Sequence, residues 1–205
     1  MSELNNIEIS ETKRKIIEAS LMLFSRNGFN GTSIREIAKA VGIKGSSIYN
    51  HFENKDDILR KVFEYSKADH LHSTQIVDRY KQKDTNDPNA FISIILNDAE
   101  ALYSNKAWNK VLKIIVMEMF QNESVHTLMT HDILTGARNE LERLFNLLIE
   151  MDLIKNIDAK FYASELFSSI LFTNIEFLLN EEFGIEYYLD LTRRRIEILW
   201  ASITR

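Results

Sequence analysis

Residues 32–52, TSIREIAKAVGIKGSSIYNHF, restrict the fold more than any other stretch of the chain. Ser33 stands three residues before Glu36, which is the spacing of a capping box. The Ser33 hydroxyl accepts from the Glu36 N–H, and the Glu36 carboxylate accepts from the Ser33 N–H. Ile34, Ile37, Ala38 and Val41 then share one helical face. Gly42 makes a tight turn. In the run that follows, Ile43 and Ile48 turn inward, while Lys44, Ser46, Ser47, Asn50 and His51 face out. The outer face is rich in hydrogen-bonding groups and has no carboxylate. A second short helix held at a fixed angle by a first can lie in a DNA major groove.

The rest of the chain is read as helical, because 205 residues contain a single proline and six glycines. A hydrophobic content of 45% is enough for a real core. With no cysteine, neither a disulfide framework nor a thiolate zinc site is available. Neither a basic-then-apolar leader nor a membrane-length apolar run is seen, so a cytoplasmic protein with no membrane partner is expected. The net charge of −5 argues against a nucleic-acid partner until it is divided along the chain. Residues 12–55 hold eight bases and three acids, a net of +5. The remainder holds 17 bases and 27 acids, a net of −10. A basic head on an acidic body suits an anionic partner at one end.

Taken in order, a polar arm (1–10) leads to a helix from Thr12 to Asn27, closed by Gly28. The helices at 33–41 and 45–51 follow, and Phe52 closes a small core. Asn54 is the expected N-cap of a connecting helix running unbroken from Lys55 to Gln82. A linker at 83–89 holds Pro88. Further helices are expected at 89–104, 106–121, 124–151, 158–180 and 185–203. The 106–121 helix is so densely apolar that it is expected to be surrounded by others. The expected domains are a DNA-binding head at 1–54 and a helical body at 55–205 that begins with the connecting helix. No internal repeat is visible.

In sequence, these signals run Gly28-Phe29, Thr32-Ser33-Ile34-Arg35-Glu36-Ile37-Ala38, Val41-Gly42-Ile43, Ile48-Tyr49-Asn50-His51-Phe52 and Asn54-Lys55-Asp56-Asp57-Ile58-Leu59. This order resembles the N-terminal domain of the TetR (tetracycline-repressor-like) family of bacterial transcription regulators. The resemblance covers about the first third of the chain and is specific there. The remaining two thirds agree only in the number, lengths and order of helices. It implies an all-α dimer whose three-helix heads are joined by a fourth helix to larger helical domains that bind a small effector. Ligand binding in the family shifts the fourth helix and changes the separation of the heads. Many relatives carry a small hydroxyl residue where Lys44 stands. Lys44 cannot cap the reading helix in that way.

The expected DNA-contacting set is Thr32, Ser33, Lys44, Gly45, Ser46, Ser47, Tyr49, Asn50, His51 and Lys55. Phosphate contacts position such a head, and base-edge contacts read sequence. Tyr49 resembles the family's phosphate-contacting aromatic; the plain alternative is a half-buried core tyrosine. Lys55, at the start of a helix, joins its charge to free N–H groups that attract phosphate. Its alternative is a solvated surface lysine. Thr32 and Ser33 are expected to cap the second helix and to touch phosphate. Gly45 permits close backbone approach. Asn50 can pair with adenine, and Lys44 with guanine or phosphate.

Tyr103, Trp108, Met117, Glu118, Phe120, Met129, Phe145, Phe167, Phe172 and Asn174 are the expected lining of an effector pocket. Aromatics and methionines there exceed what core filling clearly needs, and polar groups stand in apolar helices. Ordinary core packing is the alternative for each. The last two helices are apolar on many faces, which points to a homodimer interface of Leu166, Ile170, Phe177, Tyr188, Ile196, Leu199 and Trp200. No cofactor and no metal are expected, because the pairs His70/His72 and His126/His131 have poor helical spacing for shared ligation. No nucleophile–base motif supports an enzyme. The expected function is a ligand-released repressor on a near-palindromic double-stranded DNA operator. Two rivals stay open: an all-helical protein-interaction module, and a helical-bundle carrier or enzyme without sequence-selective DNA binding.

Overall fold

The computed structural model describes residues 10–67, 75–83, 85–87, 89–180 and 182–204. Among these residues every regular element is helical, as the all-α expectation required: α1 (Glu11–Asn27), α2 (Ile34–Val41), α3 (Gly45–Ile48), α4 (Lys55–Lys67), α5 (Ile76–Gln82), α6 (Ala90–Ser104), α7 (Lys106–Glu118), α8 (Glu123–Thr127), α9 (Ala137–Glu150), α10 (Ala159–Leu179) and α11 (Ile185–Ile203). The chain forms two compact units. Among the described residues, one holds 10–67 and 106–126, the other those from 75 to 105 and from 127 to 204. This division does not follow the boundary expected at residue 54. Helix α7 belongs with the head, because α1 and α4 both pack on it.

In the first unit, Ser10 caps α1 by accepting from the Lys13 N–H at 3.3 Å. Ile16, Ile17, Leu21 and Phe24 of α1 are buried, as are Ile37 and Ala38 of α2, Ile48 of α3 and Phe52. Helix α4 contributes Ile58, Leu59, Val62 and Phe63, and α7 contributes Val111, Ile114 and Ile115. Against expectation, α7 is not enclosed. Val116 and Met117 are exposed, and Phe120 just beyond the helix is 84% exposed.

Asn54 caps α4 through its Oδ1, which accepts from the Asp57 N–H at 2.8 Å. The expected unbroken helix 55–82 is replaced by two. Helix α4 is described to Lys67, and α5 starts at Ile76 after Gln75, whose φ of −126° and ψ of 30° are not helical. The apolar stripe that ends at Phe63 serves the first unit, whereas Ile76, Val77 and Tyr80 are buried in the second. His70, His72, Pro88 and residues 1–9 of the arm lie outside the described residues.

The second unit is built on a core shared by α5, α6, α9, α10 and α11. Trp200 is central to it. Its ring centroid is 4.6 Å from that of Phe91, and its indole N–H donates to Asn89 Oδ1 at 2.9 Å. A smaller cluster joins Tyr103 and Ala99 of α6 to Tyr188 of α11. The expected single helix 124–151 is helical throughout. Its turns widen over Leu128–Gly136, where Thr135 Oγ1 donates to the Thr130 carbonyl five residues back at 2.7 Å.

Candidate nucleic-acid interface

Local chemistry sets the first reading helix as the sequence dictates. Ser33 Oγ accepts from the Glu36 N–H at 3.3 Å, and Glu36 Oε2 accepts from the Ser33 N–H at 2.7 Å. The capping box is complete. The Ser33 N–H and the Ser33 hydroxyl both donate to the Glu36 carboxylate and hold it below its ordinary pKa. Gly42 closes α2 in the left-handed conformation, at φ 77° and ψ 29°. Helix α3 begins at Gly45. Lys44 occupies the N-cap position without a side-chain capping bond. The expected helix 45–51 shortens to 45–48. Residues 49–51 continue as tight turns, with the His51 N–H donating to the Ile48 carbonyl at 2.9 Å.

Ser33, Lys44, Ser46, Tyr49 and Asn50 are exposed, and Tyr49 shows 59% of its surface. Gly45, Ser47, His51 and Lys55 are half-buried. Exposed Arg35 and Lys39 on α2 also belong to this surface, though they were absent from the expected set. Their four-residue spacing on the polar side of α2 is the signal that could have found them.

Two expected contacts have other employment. Thr32 is 1% exposed, and its hydroxyl donates to the Gly28 carbonyl at 2.9 Å. It neither caps α2 nor faces solvent, because the turn after α1 folds over it. Half-buried Lys55 turns its ammonium onto the same turn. It donates to the Phe29 carbonyl at 2.8 Å and the Thr32 carbonyl at 3.0 Å, and it stands 4.2 Å from the centroid of the Phe29 ring.

The ten residues expected to line an effector pocket are not gathered in one unit. Trp108, Met117, Glu118 and Phe120 lie in the first; Tyr103, Met129, Phe145, Phe167, Phe172 and Asn174 lie in the second. Glu118 is 5% exposed, and its Oε1 accepts from the Phe29 N–H at 2.8 Å. Phe145 is core, and Tyr103 is buried with its hydroxyl 3.1 Å from Thr192 Oγ1. Phe120 and Phe172 are exposed. A cleft of about 450 Å³ in the second unit is lined instead by Asn89, Ile92, Ser93, Arg193, Glu197, Trp200, Ala201 and Thr204.

The expected dimer residues are also redistributed. Leu166, Tyr188, Ile196 and Trp200 are buried within the subunit, so they cannot face a partner. Ile170, Phe177 and Leu199 are half-buried against the same cores. The apolar residues that α10 and α11 leave exposed are Phe161, Phe172, Leu179, Tyr187 and Ile198. Among the described residues, no three His, Asp or Glu side chains are grouped to hold a metal ion, and no helix is long and apolar enough to cross a membrane.

The head can be compared with known proteins. Residues 16–62 match the family model for bacterial regulatory proteins, tetR family. The head is that of the TetR family. A TetR-family relative, the HTH-type transcriptional regulator AcrR of Shigella flexneri, is 33% identical over 96 residues, 47% of this chain and 43% of that protein. The icaADBC negative transcriptional regulator IcaR of Staphylococcus epidermidis is 46% identical over 52 residues, 25% of this chain and 28% of that protein. The match thus spans less than half the length of these curated relatives. The whole TetR fold appears in solved structures. NalD of Pseudomonas aeruginosa, the secondary repressor of the MexAB-OprM efflux pump, superposes with a TM-score of 0.74 at 19% identity, over 95% of this chain and 98% of that one. A TetR transcription regulator of Haloarcula marismortui gives 0.71 at 17% identity, over 96% and 100%. TetR-family regulators bind operator DNA, typically as dimers, and respond to small-molecule effectors; they are not enzymes.

Proposed function

We propose that this chain is a cytoplasmic, dimeric transcriptional repressor that binds a near-palindromic operator and is released by a small lipophilic effector. One observation carries the reading. The exposed face of α2 and α3 presents Arg35, Lys39, Lys44, Ser46, Tyr49 and Asn50, and no acidic residue occurs from Ile37 to Phe52. Such a face meets a phosphate backbone without repulsion and offers donors and acceptors to base edges. Ser33, Lys44 and Tyr49 are assigned to phosphate; Gly45, Ser46, Ser47 and Asn50 to the groove; His51 to its margin.

The dimer reading rests on spacing. Phe161, Phe172 and Leu179 are separated by eleven and seven residues, and Tyr187 and Ile198 by eleven. Each interval departs from whole helical turns by only about 20°, so each helix shows a single apolar stripe. Two such stripes suit pairing across a twofold axis. On the effector side, Asn174 has a buried Oδ1 without a hydrogen-bond partner among the described residues, a group a ligand in this unit could satisfy.

The experiment is selection of bound duplexes from random DNA, followed by a screen of lipophilic compounds for release. A two-fold-symmetric consensus is expected. Binding without sequence preference would defeat the regulator reading, and no release by any compound would defeat the effector part.

A further inference from the structure

We infer that Glu118 is a positioning residue for DNA reading, although it lies 66 residues beyond Phe52, outside the stretch that faces DNA; the inference rests on the DNA-binding function proposed above. Glu118 closes α7, and its carboxylate is almost wholly buried. Its Oε1 accepts from the Phe29 N–H at 2.8 Å; its Oε2 has no hydrogen-bond partner among the described residues. That single bond is therefore the side chain's visible task. Packing alone would be served better by an apolar side chain, because burying a carboxylate is costly unless its bonds matter.

The bond falls on the turn that feeds the reading helices. Gly28 adopts φ 77° and ψ 165°, a conformation open essentially to glycine, and a Cβ there would lie 3.2 Å from Glu118 Oε1. Phe29 offers its N–H to Glu118 and its carbonyl to Lys55. Thr32 ties back to Gly28, and the next residue, Ser33, caps α2. Glu118 thus holds the turn that leads into the Ser33 cap of α2, and α2 carries α3. Its removal leaves the Phe29 N–H unsatisfied in a buried setting and frees the turn, without removing any group that reaches phosphate.

The test uses the full chain and the duplex that the wild-type protein selects from random DNA. E118L is expected to weaken binding to that duplex about 10-fold, as loss of a buried hydrogen-bond partner implies. The dependence of affinity on salt should keep its slope, since no phosphate contact is lost. Amide exchange at Phe29 should accelerate, while amides in α11 stay protected. E118Q, whose carbonyl still accepts, should restore affinity and protection. If E118L does not fold, E118D supplies the comparison, keeping the charge while withdrawing the acceptor by one methylene. A Phe29 amide that exchanges faster while affinity stays within about twofold of wild type would overturn the positioning role. So would an unchanged exchange rate. A wild-type protein that selects no duplex would defeat the DNA-binding reading itself, and the positioning role with it; selection by wild type with unaltered E118L affinity defeats this inference alone.

Discussion

The Lys55 ammonium donates to the Phe29 carbonyl, 26 residues earlier in the chain, at 2.8 Å, and lies 4.2 Å from the centroid of that residue's ring. A lysine at the start of a helix beside a DNA head would ordinarily be assigned to phosphate. Here two of its three N–H groups bond the turn between α1 and α2.

That geometry sets an expectation for Lys55→Ala. The loss of charged hydrogen bonds from a half-exposed group should cost about 1 kcal/mol of stability. DNA binding should weaken across all sequences with an unchanged salt slope. A slope reduced by about 1 would instead assign the ammonium to a phosphate. Binding isotherms at several salt concentrations distinguish the two.

Ser33→Ala removes the hydroxyl half of the capping box and should destabilise the head by about 1 kcal/mol in urea melts. The same pair predicts a pH effect. Hydrogen bonds from Ser33 lower the Glu36 pKa in the folded state. The resulting stabilisation is present above the ordinary carboxylate value and is lost as pH falls through the depressed one. Melts of wild type and Glu36→Gln should therefore converge in acid; parallel curves down to the lowest pH would reject the linkage.

Tyr103 gives the opposite sign. Burial raises its pKa, outweighing the Thr192 hydrogen bond and the nearby Arg195 charge. Its contribution is complete below the ordinary tyrosine value and is lost as pH rises through the raised one. Tyr103→Phe should cost about 1 kcal/mol at neutral pH, where Thr192 loses its partner. It should also soften the alkaline loss of stability. Part of that loss should persist, because burial raises Tyr80 and Tyr188 as well.

The two positive-φ glycines should differ. Gly42→Ala meets nothing within 4 Å, so only the left-handed backbone penalty of about 1–2 kcal/mol applies. Gly28→Ala adds a glycine-only ψ and a close approach to the Glu118 carboxylate. It should be the more damaging of the two in thermal melts; equal losses would mean that the Glu118 contact yields easily.

Leu179→Glu and Ile198→Glu, at 78% and 76% exposure, should leave a folded monomer by sedimentation if these stripes form the dimer. Ile196→Glu, two residues from Ile198 but fully buried, should instead disrupt the fold. Dimers that survive both exposed substitutions would place the interface elsewhere.

Much of the head was legible because its signals are local. Ser33 with Glu36, Asn54 with Asp57, and Gly28 and Gly42 at helix ends act over three or four residues, and the structure contains each of them. Helix positions were legible for the same reason, apart from the break before Ile76. The run from Lys55 to Gln82 holds no proline or glycine to mark an end, although its two apolar parts serve different cores. Burial was less legible. Ile196 and Ile198 are equally apolar, and only the packing of α11 on α6 and α10 decides which is core and which is surface.

The sequence alone therefore determined an all-helical chain, a basic head and a capped pair of reading helices, because helix caps and periodicity are written in neighbouring residues. The tertiary structure decided what Glu118 and Lys55 do. Their partner, Phe29, stands 89 and 26 residues away, and a hydrogen bond over such a separation exists only once packing has brought both groups together.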